Sequence, residues 1–205
     1  MKNWLKITAA LVIGAFIFTA CETEVTLSVP GDTTINLGDN FDPKDGVSVD
    51  GADLEDVMVL WNPAWNNELV NHYVATYSVD GETAQRNVYV SSALLAGIYA
   101  VVDEMDGDET ITYNMTVAQS TEEFNKLLIS NFLGFSSLQG QAIVEGTTVT
   151  VPKFTPPGWD PAESTEATGT YNGATKRLLT FSYTIVELFE GSELITTGTA
   201  TLTKQ

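Results

Sequence analysis

HYVATYSVDGETAQRNVYV, residues 72–90, is the stretch of sequence that says most about the fold. Its first half alternates strictly, which places these apolar residues on one face of a strand: Tyr73, Ala75, Tyr77 and Val79. The Asp80-Gly81 pair that follows is a strong signal for a two-residue hairpin turn, and residues 86–90 alternate again. We therefore predict a β-hairpin whose tyrosine face is buried and whose opposite face carries His72.

Short alternating runs also make up most of the chain on either side of this hairpin. We predict strands over 25–29, 33–37, 47–49, 56–61, 97–102, 110–117, 138–144, 147–151, 169–171, 178–188 and 194–203. Thr121 is an N-cap signal that predicts one short helix over 121–128, and 153–167 is predicted as a loop. Turn signals such as Pro30-Gly31-Asp32 separate the runs. The fold class that follows is all-β, with short strands typical of a β-sandwich.

Composition narrows the classes of partner. The 205 residues include 27 Asp and Glu but only 9 Lys and Arg, a net charge of −18. This charge argues against nucleic acid as a partner, because each phosphate contact needs a cation. The single Cys excludes a disulfide framework and a thiolate metal cluster, and the single His excludes multi-histidine metal sites. The length allows one or two domains.

The first twenty residues have the organisation of an export signal. Lys2 and Lys6 give a positive start, residues 7–18 carry no charge, and Thr19-Ala20 are small. The apolar run is too short for a permanent transmembrane helix, which needs about 20 residues. Removal of this segment would leave a net charge of about −20, since it carries two bases and no acid.

Phe18-Thr19-Ala20-Cys21 resembles the lipobox of bacterial lipoproteins. In that family the signal is cleaved before the Cys, and the Cys carries the lipid. The resemblance implies a signal peptide over 1–20, lipidation of Cys21 and a body anchored to the outer membrane, facing the cell surface or the periplasm. Several acyl chains would hold the protein firmly, at about 0.8 kcal/mol per buried methylene.

The stretch 24–90 resembles a bacterial Ig-like domain family found in surface proteins. The motifs that carry the resemblance are Gly38, Phe41-Asp42-Pro43, Gly46-Val47 and the hairpin 72–90. The sequence departs from the family pattern at 61–71, where two tryptophans and a Pro replace the usual Gly-rich turn. The resemblance implies an Ig-like β-sandwich, which we assign to residues 21–91.

The stretch 97–204 resembles a C-terminal β-domain of Bacteroidota lipoproteins that are linked with glycan-utilisation loci. The motifs recur in order at 129–132, 144–152, 169–171 and 199–204. They imply a second domain over 92–205, either an antiparallel β-sandwich or a small lipocalin-like barrel. They also imply a polysaccharide ligand and an outer-membrane transporter complex as partners, and they bring no catalytic residue with them.

Catalytic and metal-binding motifs are sparse. His72 is the only imidazole, and no Gly-x-Ser-x-Gly elbow supplies a nucleophile. Carboxylates are abundant, but two small β-domains leave little room for a catalytic cleft. The densest acidic run, 103–109, lacks the EF-hand spacing and is better explained by solvated turns than by calcium. We therefore expect no enzyme activity, no cofactor and no metal.

Aromatic residues in two loops are the candidate ligand site. Sugar rings stack on Trp, while amides and carboxylates bind the sugar hydroxyls. The candidate residues are Trp61, Trp65, Asn66, Asn67, Trp159 and Asp160. The alternative is that the loop tryptophans close the end of a core or pack at a domain interface. Asp32-Thr33-Thr34 matches a loose O-glycosylation pattern, which makes Thr33 a candidate modification site.

Taken together, these features predict a non-enzymatic, membrane-anchored accessory protein. It would bind an oligo- or polysaccharide beside an outer-membrane transporter. The alternative is a structural spacer or protein-interaction subunit of a cell-surface complex, in which the N-terminal module only lifts the second domain from the membrane.

Replacing Cys21 by Ser is expected to release the protein from the membrane, because a hydroxyl does not form the thioether that carries the lipid. Mass spectrometry of the mature N-terminus should find lipid on the wild type and none on Cys21→Ser, and detergent partitioning should move the variant to the aqueous phase. Glu24→Gln is the matched control and should remain lipidated. An unmodified thiol on the wild-type protein would contradict the lipobox interpretation.

Overall fold

The computed structural model describes residues 24–106 and 109–205. The predicted signal peptide and Cys21 lie outside these residues, so their interpretation stays a prediction. The described part of the chain contains fourteen strands and three short 3-10 turns. Within it, no helix has the length and the apolar character needed to cross a membrane. The protein is therefore all-β, as predicted.

The first six strands form two small sheets that pack face to face. They are β1 (Thr26–Ser28), β2 (Thr33–Asn36), β3 (Ser48–Asp50), β4 (Met58–Asn62), β5 (Asn71–Val79) and β6 (Glu82–Ser91). One sheet pairs β1 with β3, and the other has the order β2-β6-β5-β4, with β2 parallel to β6. Leu27 and Val49 of the two-stranded sheet pack against the buried face of β5. This is the predicted sandwich.

The β5–β6 hairpin has the predicted alternation. The face predicted to be buried is buried: Tyr73, Ala75, Tyr77 and Val79. His72, on the opposite face, is exposed. Asp80 (φ 46°) and Gly81 (φ 90°) form the two-residue turn, and the positive φ values match the turn type whose twist suits a hairpin.

The other eight strands form a closed antiparallel barrel. They are β7 (Gly97–Met105), β8 (Glu109–Gln119), β9 (Lys126–Ser130), β10 (Gln139–Glu145), β11 (Thr148–Phe154), β12 (Ser164–Asn172), β13 (Arg177–Phe189) and β14 (Ser192–Lys204). Each strand pairs with the next along the chain, and β14 pairs with β7. Of the two architectures predicted for residues 92–205, a β-sandwich or a small barrel, the barrel is therefore correct. The boundary predicted at 91–92 falls between β6 and β7.

Large side chains fill the barrel interior where neighbouring strands carry glycine. Phe181 lies over Gly169 on β12, and Tyr183 lies over Gly198 on β14. A Cβ atom at either glycine would collide with the ring opposite it. Both positions therefore require glycine because of this close approach.

The helix predicted over 121–128 is wrong. Residues 126–130 form β9, which pairs with β8 and β10 and directs Leu127 and Ile129 into the barrel. Hydrogen bonding to two neighbouring strands outweighs the local N-cap signal of Thr121, because without β9 the barrel would have two open edges. The loop predicted over 153–167 is also shorter, since β11 extends to Phe154 and β12 begins at Ser164.

Tyr171, near the end of β12, joins the barrel to the sandwich. Its hydroxyl accepts the N–H of Val70 at 2.8 Å and donates to the carbonyl of Gly146 at 2.5 Å, with the carbonyl of Glu68 3.2 Å away. Val70 and Gly146 also form a β-bridge. Burial raises the pKa of Tyr171 to about 12. Residues of the sandwich such as Leu37 share one continuous apolar core with the barrel.

Tyr171→Phe is expected to lower the free energy of unfolding by about 1–3 kcal/mol, because it leaves the buried N–H of Val70 without an acceptor. Denaturant unfolding followed by tryptophan fluorescence measures the change. Tyr89→Phe, at a half-buried position on β6, is the control and should stay within about 0.5 kcal/mol of the wild type. Equal stability of Tyr171→Phe and the wild type would show that the hydroxyl does not hold the junction.

Candidate functional site

Trp61 and Trp65, two of the predicted ligand residues, belong to one aromatic cluster on the sandwich. Trp61 lies on β4 and Trp65 in the loop that follows, with ring centroids 4.6 Å apart and planes inclined by 30°. Phe41 and Tyr73 complete the cluster, at 5.5 Å and 4.9 Å from Trp65. Trp61, Trp65 and Phe41 are half-buried. The rings therefore cover much of one another and leave a partly exposed aromatic edge.

Asn66 and Asn67 hold the loop that carries Trp65. The side-chain oxygen of Asn66 accepts a hydrogen bond from the N–H of Glu68 at 2.9 Å. The backbone carbonyl of Asn66 accepts one from the hydroxyl of Tyr73 at 2.7 Å. The side-chain amide of Asn67 donates to the carbonyl of Asp39 at 2.8 Å. We predicted that the side-chain amides of Asn66 and Asn67 bind a sugar. Because both make hydrogen bonds within the protein, part of their hydrogen-bonding capacity is already used.

Two further members of this region were not predicted as site residues. Phe41 lies against both tryptophans, and the Arg86 guanidinium carbon lies 5.2 Å from the Phe41 ring centroid. The Nε of Arg86 also donates to the carbonyl of Gly31 at 3.0 Å. Both residues belong to motifs of the Ig-like resemblance, but a sequence motif gives no signal that they meet Trp61 and Trp65.

Trp159 and Asp160 lie in the β11–β12 loop, at the barrel end opposite the junction with the sandwich. Trp159 is half-buried and packs edge-on against Phe135, with centroids 6.0 Å apart. The Asp160 carboxylate accepts the N–H of Ala162 at 3.0 Å, and the N–H of Asp160 donates to Glu163 at 2.8 Å. The structure therefore separates the predicted tryptophan residues into two places.

His72 lies on the outer face of the sandwich, whereas Thr33 pairs with the buried Val88 and lies on the inner face. The His72 ring stacks on Tyr89 at 4.7 Å, and its Nε2 lies 2.8 Å from the side-chain oxygen of Asn87. Asn87 donates two hydrogen bonds of 3.0 Å to Asp32, which hold the pKa of that carboxyl below its ordinary value. Thr33 begins β2 and is half-buried. Its glycosylation stays a prediction.

A groove on the outer face of the barrel was not predicted from the sequence. It crosses β11, β12, β13, β14 and β7, reaches Thr110 at the start of β8 and has a volume of about 900 Å³. Most of its polar lining consists of hydroxyl side chains: Thr150, Thr168, Ser182, Thr184, Thr197 and Thr199. We call it the hydroxyl groove. Each of β11, β12, β13 and β14 contributes one or two of these residues, so the groove exists only once the strands are paired.

Three carboxylates complete the hydroxyl groove: Glu104, Asp106 and Glu166. All three are exposed, and Asp106 accepts a hydrogen bond from the hydroxyl of Thr197. Among the described residues that line the groove, none is a Lys or an Arg. The groove is therefore acidic as well as rich in hydroxyls.

A second groove, of about 650 Å³, lies beside the first on the outer face of β9, β10 and β11. Its long polar side chains are Lys126, Lys153, Gln139 and Gln141. Pro152 lines both grooves, so they adjoin at this residue. We call it the lysine groove, because it is the more basic of the two.

Asp103 is a carboxylate inside the barrel. It is 1% exposed, and its two oxygens lie 2.8 Å from the Tyr183 hydroxyl and 3.4 Å from the Tyr113 hydroxyl. Burial raises the pKa of Asp103, and the hydrogen bonds from the two tyrosines partly oppose that shift. Burial also raises the pKa of both tyrosines, which keeps them protonated as donors. The buried acid is thus paired within the protein.

The acidic run that begins at Asp103 does not converge on one point. Asp103 points into the barrel, Glu104 points out into the hydroxyl groove, and Asp106 binds Thr197. Within residues 24–106 and 109–205, no group of three or more His, Cys, Asp or Glu side chains is arranged to hold a metal ion. Strand alternation is the physical reason, since neighbouring residues face opposite sides.

These observations define an all-β protein in which a small sandwich is joined to an eight-stranded antiparallel barrel with two outer grooves. Comparisons with protein-family models, with curated proteins and with solved structures find no match to the chain. Function must therefore be inferred from its own residues and their geometry.

Asp103→Asn is expected to remove part of the pH dependence of stability. Because the folded-state pKa of Asp103 is raised, the folded protein binds this proton more tightly than the unfolded chain does. The resulting stabilisation is complete below the unfolded pKa of about 3.9 and is lost as pH rises through the folded pKa. Asn does not titrate, so the variant should lose less stability over this window.

Urea unfolding at a series of pH values from about 3 to about 8 measures both curves. Above the window, Asp103→Asn should be the more stable protein, because the wild type then holds a buried charge. Asp45→Asn, at an exposed position, is the matched control and should keep the wild-type slope. An Asp103→Asn curve parallel to that of the wild type would contradict the assignment.

Proposed function

We propose that this protein is a non-enzymatic lipoprotein of the outer membrane that captures an oligo- or polysaccharide beside a transporter complex. The observation that carries the proposal is the hydroxyl groove, a concave site of about 900 Å³ on the outside of the barrel. This volume lies within the range of ligand sites in proteins, about 300–1,000 Å³. The lipobox resemblance at Cys21 and the resemblance of 97–204 to lipoproteins of glycan-utilisation loci support the same proposal.

The chemistry of the groove suits a sugar. A saccharide presents many hydroxyls that both donate and accept hydrogen bonds, and Thr and Ser hydroxyls do the same. Carboxylates such as Glu104 and Glu166 accept sugar hydroxyls in charge-assisted hydrogen bonds, which are stronger than neutral ones. A site on the outer face of a sheet is open at its ends, so it can accept part of a long chain.

The candidate tryptophans offer a second kind of contact. Trp61 and Trp65 keep a partly exposed edge on the sandwich, and Trp159 is half-buried at the far end of the barrel. A sugar ring could pack against the exposed part of either indole. These residues remain part of the proposal, but their packing contacts supply a structural role that would exist without any ligand.

A spacer or protein-interaction subunit is the second candidate function. The observation that favours it is the junction, where Tyr171 bonds to the sandwich and both parts share one core. Such a junction would hold the barrel at a fixed orientation above the membrane. The β13–β14 hairpin also exposes apolar side chains that could contact a protein: Phe189, Leu194 and Ile195.

Affinity electrophoresis in gels that contain different polysaccharides tests the first proposal, with calorimetry to measure any binding found. We expect at least one polysaccharide to retard the protein, because the groove supplies many weak hydrogen bonds along an extended chain. A polysaccharide-free gel gives the reference mobility. If no polysaccharide retards the protein, while cross-linking in the cell envelope finds one stoichiometric protein partner, the spacer function replaces the first proposal.

A further inference from the structure

The hydroxyl groove contains two rows of polar side chains that run across the strands. The first row connects six neighbouring strands through directly paired residues, in the order Thr150, Thr168, Ser182, Thr199, Glu104 and Thr110. The second row connects Glu166, Thr184 and Thr197 and ends at Asp106. Paired residues share one face of the sheet, so both rows lie on the outside of the barrel.

The rows have a regular spacing. Neighbouring strands lie about 4.8 Å apart, so the five steps of the first row cover about 24 Å along the curve of the barrel. The two rows are two residues apart along each strand, which is about 7 Å. A ligand on this surface would therefore meet a hydroxyl or carboxylate at each of the six strands in the first row, and again at three of them and at Asp106 in the second row.

Threonine is common on exposed strand positions, so the rows alone do not define a site. The second observation is the shape of the surface: the outer face of a barrel is ordinarily convex, whereas here it contains a groove of about 900 Å³. The pairing of β11 with β12 shifts register between Val151 and Phe154, and such an irregularity bends a strand. Pro152, within the shifted segment, lines the groove.

The charge of the groove restricts its ligand. Glu104, Asp106 and Glu166 line it, and no described lining residue is a base. The whole chain carries a net charge of −18, so the surrounding potential is also negative. A uronate or sulfated polysaccharide would therefore be repelled, while an uncharged polysaccharide meets only hydrogen-bonding groups.

We propose that the hydroxyl groove binds an uncharged linear polysaccharide whose chain lies across β11 to β7 along the two rows of hydroxyls. This inference rests on the proposed function and makes it more specific, because it names the class of sugar and the face that holds it. The serine and threonine hydroxyls bind the sugar hydroxyls, and Glu104 and Glu166 act as acceptors and exclude anionic chains.

The test removes hydroxyls with little change in side-chain shape. The triple variant Thr168→Val, Ser182→Ala, Thr184→Val keeps the strands and removes three neighbouring hydroxyls from the groove. The matched control, Thr112→Val with Thr116→Val, makes two Thr→Val substitutions of the same kind at exposed positions of β8 outside the groove. Circular dichroism checks that both variants are folded.

Affinity electrophoresis and calorimetry then use a linear β-glucan and a linear mannan as neutral probes, with polygalacturonate and chondroitin sulfate as anionic probes. The wild type should bind a neutral probe and not the anionic ones. The triple variant should lose affinity by about tenfold or more, since it removes several hydrogen bonds, and the control should bind like the wild type. Glu104→Gln with Glu166→Gln should raise binding of the anionic probes.

Other outcomes overturn the inference in distinguishable ways. If no polysaccharide binds, the proposed function fails and the inference fails with it. If a neutral probe binds equally to the triple variant but is lost in Trp65→Ala or Trp159→Ala, the proposed function stands and the groove assignment is wrong. If an anionic probe binds best and is lost in Lys153→Gln, the lysine groove holds the ligand and the class of sugar is wrong.

Discussion

Pairing of the last strand with the first strand of the barrel is the constraint on which the rest of the structure depends. Seven residue pairs, from Gly198 with Met105 to Lys204 with Tyr99, join β14 to β7. Because this pairing leaves no open edge among the eight described strands, each strand has one permitted register. That register determines which side chains point inward, and a slip by one residue would exchange the core and the outer surface.

The interior follows from the same register. Tyr183 reaches Asp103 because Gly198, which lies between them on β14, has no side chain to block the ring. The hydroxyl then donates to the buried carboxylate, whose other side-chain partner, Tyr113, is more distant. At the other end of the barrel, Tyr171 plays a comparable part, since its hydroxyl satisfies the backbone of Val70 at the junction. Tyrosine thus supplies apolar volume and a hydrogen bond at both ends.

Local patterns and long-range pairing account for what the sequence could and could not predict. The hairpin 72–90 was predictable because alternation, turn residues and the buried face all indicate the same structure. The strand β9 was not, since Thr121 is a local signal whereas pairing with β8 and β10 depends on distant residues. The hydroxyl groove escaped prediction for the same reason, and Trp61 and Trp65 were identified by residue type without their partner Phe41.

Asp103 and Glu104 show why the outer surface, rather than the interior, is available for binding. They are consecutive acids, yet alternation buries the first and exposes the second. Asp103 has its hydrogen bonds satisfied by Tyr183 and Tyr113 and is shielded from any ligand. Glu104 is exposed to solvent in a row of hydroxyls on five other strands, where a sugar hydroxyl could take the place of solvent water at little cost. The difference between these two acids therefore supports the groove, rather than the barrel interior, as the proposed binding surface.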